Sequence, residues 1–286
     1  MRYRYLRFPE GRPKALTLSY DDGCPQDIRL VDTLNRYGIK CTFNFNCDAL
    51  KGERALPREQ VIEHMLDHGH EIAVHGEWHV ANGTLRPIEG ISEVLNCRLE
   101  LEAKYDRIIR GMAYPDVGIR RFSNGTVYSD VKTYLTELDI AYCRTLGADN
   151  DGFEMPTDWH AWMPTAHHNN PSLDQYIDKF LTLDFSTDAY IAARQPRLFY
   201  MWGHAFEFDR HDNWDRLTHI CERLSGKDDV WYATNIEICD YVRAYESLVY
   251  SADRRIIYNP TLYKIWFDID KVLYSIEPGE TLRIEK

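Results

Sequence analysis

The sequence predicts an α/β protein: a closed or nearly closed barrel of about seven parallel strands, with helices between them and a small C-terminal antiparallel β appendage. Two patterns predict it. Over residues 14–234, short apolar runs rich in β-formers alternate with helical periodicities. Such alternation implies parallel pairing through right-handed crossovers, and at this length a barrel of β/α units closes it naturally. Beyond residue 250 the chain switches to apolar–polar alternation broken by turns, as antiparallel strands with one wet face require. The expected division is a barrel over 1–249 and an appendage over 250–286.

The strand candidates are 14–20, 39–46, 71–75, 108–114, 140–146, 197–202 and 229–234. Between the first two, Ile28, Val31, Leu34 and Tyr37 share one helical face that stops at Gly38. Pro57 and Gly69 bracket the next helix, proline first and glycine last. After Pro87 a longer helix puts Ile88, Ile91, Val94, Leu95, Leu99 and Glu102 in register. Ser123 can cap a helix through Leu138. Thr234 opens "TNIE", the spacing of a capping box, before a helix over 235–248. Residues 147–196, rich in His, Trp, Asn and Asp, break the rhythm and read as an excursion over the barrel mouth. The tail reads as three or four antiparallel strands, turning at Asn259-Pro260, Asp268–Lys271 and Pro278-Gly279.

Composition narrows the function. Net charge is −11, which argues against a nucleic-acid binder, since that needs a basic stripe. The seven cysteines are scattered, with no CxxC pair, as in a reduced intracellular protein. No segment approaches the roughly 20 apolar residues of a membrane span, and "MRYRYLRFPEGRP" lacks the apolar core of a signal peptide. The expectation is a cytoplasmic protein with no membrane partner; its oligomeric state is open, a homo-oligomer included. Aromatic residues make up 13%; flat rings stack on sugar faces, though an aromatic core would use them equally.

The polar residues fall at one end of the strands. Asp21 and Asp22 follow the first strand, in "LTLSYDDGCP". His75 ends the third, with His79 four residues on, in "HGEWH". Tyr114 ends the fourth; Arg144 lies near the end of the fifth, with Asp149 and Asp151 after it; His204 follows the sixth. In a β/α barrel the C-terminal strand ends form the active-site face. Two imidazoles and a carboxylate make a common catalytic metal set. A divalent ion would also compensate paired acids, one binding the ion and the other accepting a proton beside it. The zincin pattern H-E-x-x-H does not fit, because Glu77 sits third rather than second and a strand precedes His75. His64, His68 and His70 in "HMLDHGH" read as solvated or packing residues.

These residues resemble a family, the polysaccharide deacetylases of carbohydrate esterase family 4, which share the NodB-homology domain. "TLSYDDG" is similar to its first motif, TFDDG; "HGEWH" to the second, H-S/T-x-x-H; "AYPDVG" (113–118) to the third, R-x-P-Y; "MWGHAFE" (201–207) to the fifth. "WYATNIEICDY" looks like the end of the domain, so the resemblance spans roughly 14–245. It implies a distorted barrel, with Asp21 as general base, Asp22, His75 and His79 as metal ligands and His204 as general acid. The metal would be zinc foremost, with cobalt, nickel or manganese as other options. Backbone N–H groups around Tyr114 and Asp116 would help hold the oxyanion. Three departures stand out. Residue 76 is Gly where Ser or Thr braces the second histidine. The third motif lacks its arginine, for which Arg144 is a better candidate than Arg110. The fourth motif could be met by Asp158 and Trp162, or by Asp149 and Asp151.

The implied activity is removal of an acetyl group from an N-acetylated sugar, less readily an O-acetylated one. Asp21 takes the proton of the attacking water and His204 protonates the leaving group. Trp162, Trp202 and Trp78 are candidate stacking surfaces for the carbohydrate, and His168 or His167 a substrate contact. A cytoplasmic enzyme would meet a nucleotide- or lipid-linked glycan precursor rather than a finished wall polymer. Two alternatives remain: a metal-dependent hydrolase of another C–N bond, such as a cyclic amide, or a non-catalytic carbohydrate-binding protein.

Overall fold

A computed structural model describes residues 3–47, 51, 55–147, 149–186 and 191–284. Strand β1 (Arg4–Arg7) is followed by β2 (Lys14–Asp21), α1 (Gln26–Tyr37) and β3 (Thr42–Phe45). Helix α2 (Arg58–Val61) widens into a further turn to Leu66 and leads to β4 (Glu71–Val74). Then come α3 (Pro87–Tyr105), β5 (Gly111–Ala113), α4 (Tyr128–Glu137), β6 (Tyr142–Arg144), β7 (Ala166–His167), α5 (Leu173–Leu181) and β8 (Arg197–Gly203). Helices α6 (Phe206–Arg210) and α7 (Trp214–Leu224) precede β9 (Val230–Tyr232) and α8 (Asn235–Glu246). The tail holds β10 (Val249–Tyr250), β11 (Ile256–Tyr258), β12 (Ile265–Ile269), β13 (Val272–Ile276) and β14 (Thr281–Arg283).

One sheet runs in the order β6-β5-β4-β3-β2-β8-β7, with β9 against the start of β2, and every pairing in it is parallel. The seven expected strands are all there. β2 lies inside it, between β3 and β8, and is buried at all eight positions, as a strand covered on both faces must be. The eighth strand, β7, belongs to the expected excursion and closes the curl. Trp162 N–H donates to Cys143 O and Thr145 N–H to Trp162 O, tying that segment to β6. Three residues on, Thr165 and His168 N–H donate to Tyr200 and Trp202 O of β8.

Most helix boundaries follow the sequence signals, but α4 starts at Tyr128 with Val127, not Ser123, at its N-cap. Gly38 ends α1 at φ +65, and Thr234 caps α8 by accepting from Glu237 N–H while its own N–H donates back to that carboxylate. The face of α3 differs from the one periodicity suggests. Ile88 and Leu99 are exposed, while Glu93, Val94, Cys97, Leu101 and Tyr105 are buried. A buried glutamate on the inner face rotates the stripe away from the purely apolar reading.

The appendage has five strands in the tail rather than three or four, arranged as two three-stranded sheets. One, β10-β11-β14, is built from the tail alone. The other, β1-β12-β13, takes its third strand from the N-terminus, with Arg4 opposite Ile269 and Arg7 opposite Trp266. Residues 4–7 therefore pair with the 250–286 unit although the sequence division puts them with the barrel. Asp268 of β12 is buried with Arg194 Nη2 at 2.6 Å and Arg7 Nη2 at 3.9 Å. Among the described residues no helix is long and apolar enough to cross a membrane.

Candidate active site

The C-terminal ends of β2, β4, β6 and β8 converge on one cleft. At the end of β2, Asp22 and Gly23 both take left-handed φ, +78 and +64. Asp tolerates that region and Gly favours it, so the chain turns back at "DDG" and both carboxylates stay at the strand mouth. Asp22 Oδ1 lies 3.5 Å from His75 Nε2 and 3.3 Å from His79 Nε2. The ligand atoms of these three residues all fall within 4.8 Å of one another.

The local structure aims both imidazoles. His75 is buried, and its Nδ1 donates to Ala113 O at 2.9 Å. That contact fixes the tautomer and leaves the Nε2 lone pair facing Asp22. His79 sits on the loop after β4 with φ +56, a conformation that persists only where neighbours over-determine it. Glu93 of α3 supplies the neighbours. Its carboxylate accepts from Trp78 N–H at 3.0 and 3.1 Å and from Val80 N–H at 3.0 Å, and its carbonyl accepts from Glu77 N–H. The missing Ser/Thr side chain at Gly76 is thereby replaced: the brace comes from another helix. No local motif signals Glu93; the only hint is a glutamate where α3 needs an inward residue.

Asp21 is fully enclosed. Asn44 Nδ2 donates to its Oδ1 at 2.8 Å, and Arg144 Nη2 donates to its Oδ2. The Arg144 guanidinium also lies 4.5 Å from the Trp202 ring centre. Arg110 is elsewhere, paired with Asp240 and Asp139. Across the cleft, His204 Nε2 is 4.0 Å from Asp21 Oδ2 and 3.9 Å from Asp22 Oδ2. Its Nδ1 faces Glu207 Oε1 of α6 at 3.3 Å. Glu207, which the sequence reading missed, also has His167 Nε2 and His168 Nε2 each 3.0 Å from its Oε2.

The charges reinforce this arrangement. Burial alone would raise the Asp22 carboxyl, but the close contact with His79 and the positive fields of His75 and His204 bring it to about 2. Burial pulls His75 down, whereas contact with Asp22 outweighs burial at His79 and lifts it. Burial opposes a charged His204, yet Glu207, Asp21 and Asp22 together raise it. Glu207 is held far below the usual carboxylate range: three imidazoles overcome its desolvation.

Several sequence expectations are corrected. Tyr114 cannot offer its N–H to an oxyanion, because that N–H donates to Arg144 O within the sheet, and its hydroxyl donates to His160 O. Asp116 stays near, at a left-handed turn whose charge acts on His79. Trp162 is core, packed edge-on against Tyr142, Trp159 and Tyr200, so it offers no sugar platform. His168 is fully buried, stacked on Phe208 with ring centres 4.3 Å apart, and cannot touch substrate; half-exposed His167 borders the cleft instead. Asp158 caps a short turn at His160 and meets Tyr128 and Lys132, while Asp149 and Asp151 hold α5 through Tyr176 and Lys179. Neither fourth-motif pair enters the site. Trp202 does, and Trp78, 69% exposed, stands on the His79 loop. His70 is structural, accepting from Cys41 N–H and contacting Asn35 Oδ1.

The family model described as polysaccharide deacetylase matches residues 8–135. No curated protein matches. Solved structures resemble the chain at low identity. The chitin deacetylase of the fungal pathogen Colletotrichum lindemuthianum is 16% identical, covers 82% of this chain and 89% of its own, with TM-score 0.49. The peptidoglycan deacetylase PdaC of Bacillus subtilis is 12% identical, with coverage of 82% and 94% and TM-score 0.47. A carbohydrate esterase family 4 pseudoenzyme of Bacillus anthracis is 14% identical, with coverage of 82% and 68% and TM-score 0.48.

Proposed function

Over residues 8–135 the chain belongs to the polysaccharide deacetylase family, and from that premise we propose that it is a metal-dependent hydrolase that removes acetyl groups from an N-acetylated carbohydrate. One observation carries the reading: residues from beyond the matched segment, Arg144 and His204, complete the set that Asp21, Asp22, His75 and His79 begin. Two imidazole nitrogens and a carboxylate, with the His75 tautomer already fixed, suit a divalent ion with an open position, zinc foremost. When bound, such an ion polarises a carbonyl and makes water acidic.

The chain's own residues do the rest. Asp21, oriented by Arg144 and Asn44, accepts the proton of the attacking water. His204, charged through Glu207, gives a proton to the departing amine. Asp21 Oδ2 and His204 Nε2 lie 4.0 Å apart at the cleft, so a base and an acid are side by side for one reacting group. Trp78 and Trp202 provide aromatic surface beside it for a sugar ring.

Acetate release tests this, from N-acetyl and O-acetyl oligosaccharides and small N-acetylated sugars, with and without chelator. Chelator-sensitive acetate that disappears in Asp21→Asn supports the proposal. Metal bound without acetate from any substrate points to another C–N bond, and no release or metal binding at all overturns the mechanism.

A further inference from the structure

We propose that Tyr200 is a positioning residue for Asp21, acting through Ser19 and Asn44, and that Asn235 holds it in place. Thr17, Ser19 and Asp21 alternate along β2, so their side chains share one face. All three are buried, as are Asn44 on β3 and Tyr200 on β8. β/α barrels fill their interiors chiefly with branched apolar side chains. Here a line of polar groups runs from the proposed base down the strands instead.

The links are short. Asn44 Nδ2 donates to Asp21 Oδ1 at 2.8 Å and to Ser19 Oγ at 2.7 Å. The Tyr200 hydroxyl lies between Ser19 and Asn235, and Asn235 Nδ2 donates to it. Asn235 is itself fixed: its N–H donates to Thr42 Oγ1 at 3.0 Å, and its Oδ1 accepts from Thr17 Oγ1 at 2.8 Å.

The Asn44 amide shows why the line matters. Its Oδ1 is a buried atom with no hydrogen bond among the described residues. Only the contacts of Nδ2 therefore fix which way the amide points. A half-turn would put the oxygen against the Asp21 carboxylate, which can only accept. Burial keeps the Tyr200 phenol protonated, so the two hydroxyls engage each other and a Ser19 lone pair stays free for Asn44. Without the phenol oxygen, Ser19 can turn its O–H on the amide oxygen and favour the half-turned form. The consequence for catalysis rests on the base role proposed for Asp21; the hydrogen-bond line does not.

Two readouts test it, with folding checked by circular dichroism. In the chain labelled with nitrogen-15 at asparagine, the Asn44 side-chain resonances are those lost in Asn44→Ala. Tyr200→Phe should speed the exchange of these amide protons with water, and Ser19→Ala should do the same. Unchanged exchange in both variants overturns the proposal. In acetate release by the zinc-loaded chain, Tyr200→Phe should lower kcat about 3- to 10-fold, the worth of one hydrogen bond, with KM unchanged. In the Asn44→Ala chain the same substitution should lower it no further. An equal loss in both chains overturns the proposal, because Tyr200 would then act without Asn44. A wild-type chain that releases no acetate, while Tyr200→Phe still speeds the Asn44 exchange, overturns the deacetylase reading and supports the line to Asp21.

Discussion

A side chain at Gly76 would place its Cβ 2.4 Å from Glu93 Oε1. The loop bearing His79 is braced either by its own residue 76 or by Glu93, and here the carboxylate occupies the space. Glu93→Ala removes the Oε1 acceptor that Trp78 N–H and Val80 N–H share and leaves both unmatched. Metal affinity is expected to fall about 10- to 100-fold, as when an outer-shell partner is removed, read by competition with a chelator. Unchanged affinity would show that the loop holds His79 without Glu93. Gly76→Ser, at φ +87, adds backbone strain to the clash and should cost about 1–3 kcal/mol in urea unfolding.

Arg144 and Asp21 are a buried pair, and the pair is worth less than the cost of breaking it. Arg144→Met leaves the Asp21 carboxylate enclosed with only Asn44 to donate to it. Loss of a single partner from such a pair costs about 3–5 kcal/mol. Asp21→Asn in the same chain removes the stranded charge, so the double variant should be more stable than Arg144→Met alone. Urea midpoints of the two variants decide it; equal midpoints would mean that the guanidinium does not compensate Asp21.

The same logic applies at the junction of barrel and appendage. Asp268 lies between Arg7 of β1 and Arg194, all three buried. Asp268→Asn leaves two arginines facing each other without a counter-ion. A loss of about 3–5 kcal/mol is expected, with early exposure of β1 to proteolysis. A thermal midpoint within a degree or two of wild type would place the triad outside the stability of the fold.

What the sequence revealed follows from the range of the forces involved. Parallel strands buried on both faces read as apolar runs, so β2 and β8 were plain, and the Thr234 box is a three-residue signal. β7 is two residues long and pairs with β8 alone, so no periodicity marks it. β1 pairs with a strand more than 250 residues away, which no local pattern can announce. Asp22, His75 and His79, the proposed metal ligands, were legible because they lie just past strand ends in fixed spacings. Glu93 and Glu207 were not, because helix position says nothing of what a carboxylate meets across space. Trp162 misled for the converse reason: an indole looks the same on a sugar platform as in a core.

Glu71 sets a pH dependence independent of the active site. It lies at the entry of β4, at the opposite end of the strands from the cleft. It accepts from Thr42 Oγ1 at 2.7 Å, Tyr142 OH at 2.8 Å and Ile236 N–H at 2.9 Å. Burial outweighs these donors and raises its pKa from 4.5 to about 7. The folded state therefore holds a proton that the unfolded chain releases near 4.5. Stability from this group is full below pH 4.5, declines up to about 7, and stays low above that. The span corresponds to at most about 3 kcal/mol. Glu71→Gln keeps an acceptor and removes the titration. Wild type minus variant, in unfolding free energy, should fall between pH 4.5 and pH 7 and then level off. A difference that is flat with pH, or that rises, would mean the three donors hold Glu71 ionised in the barrel floor after all.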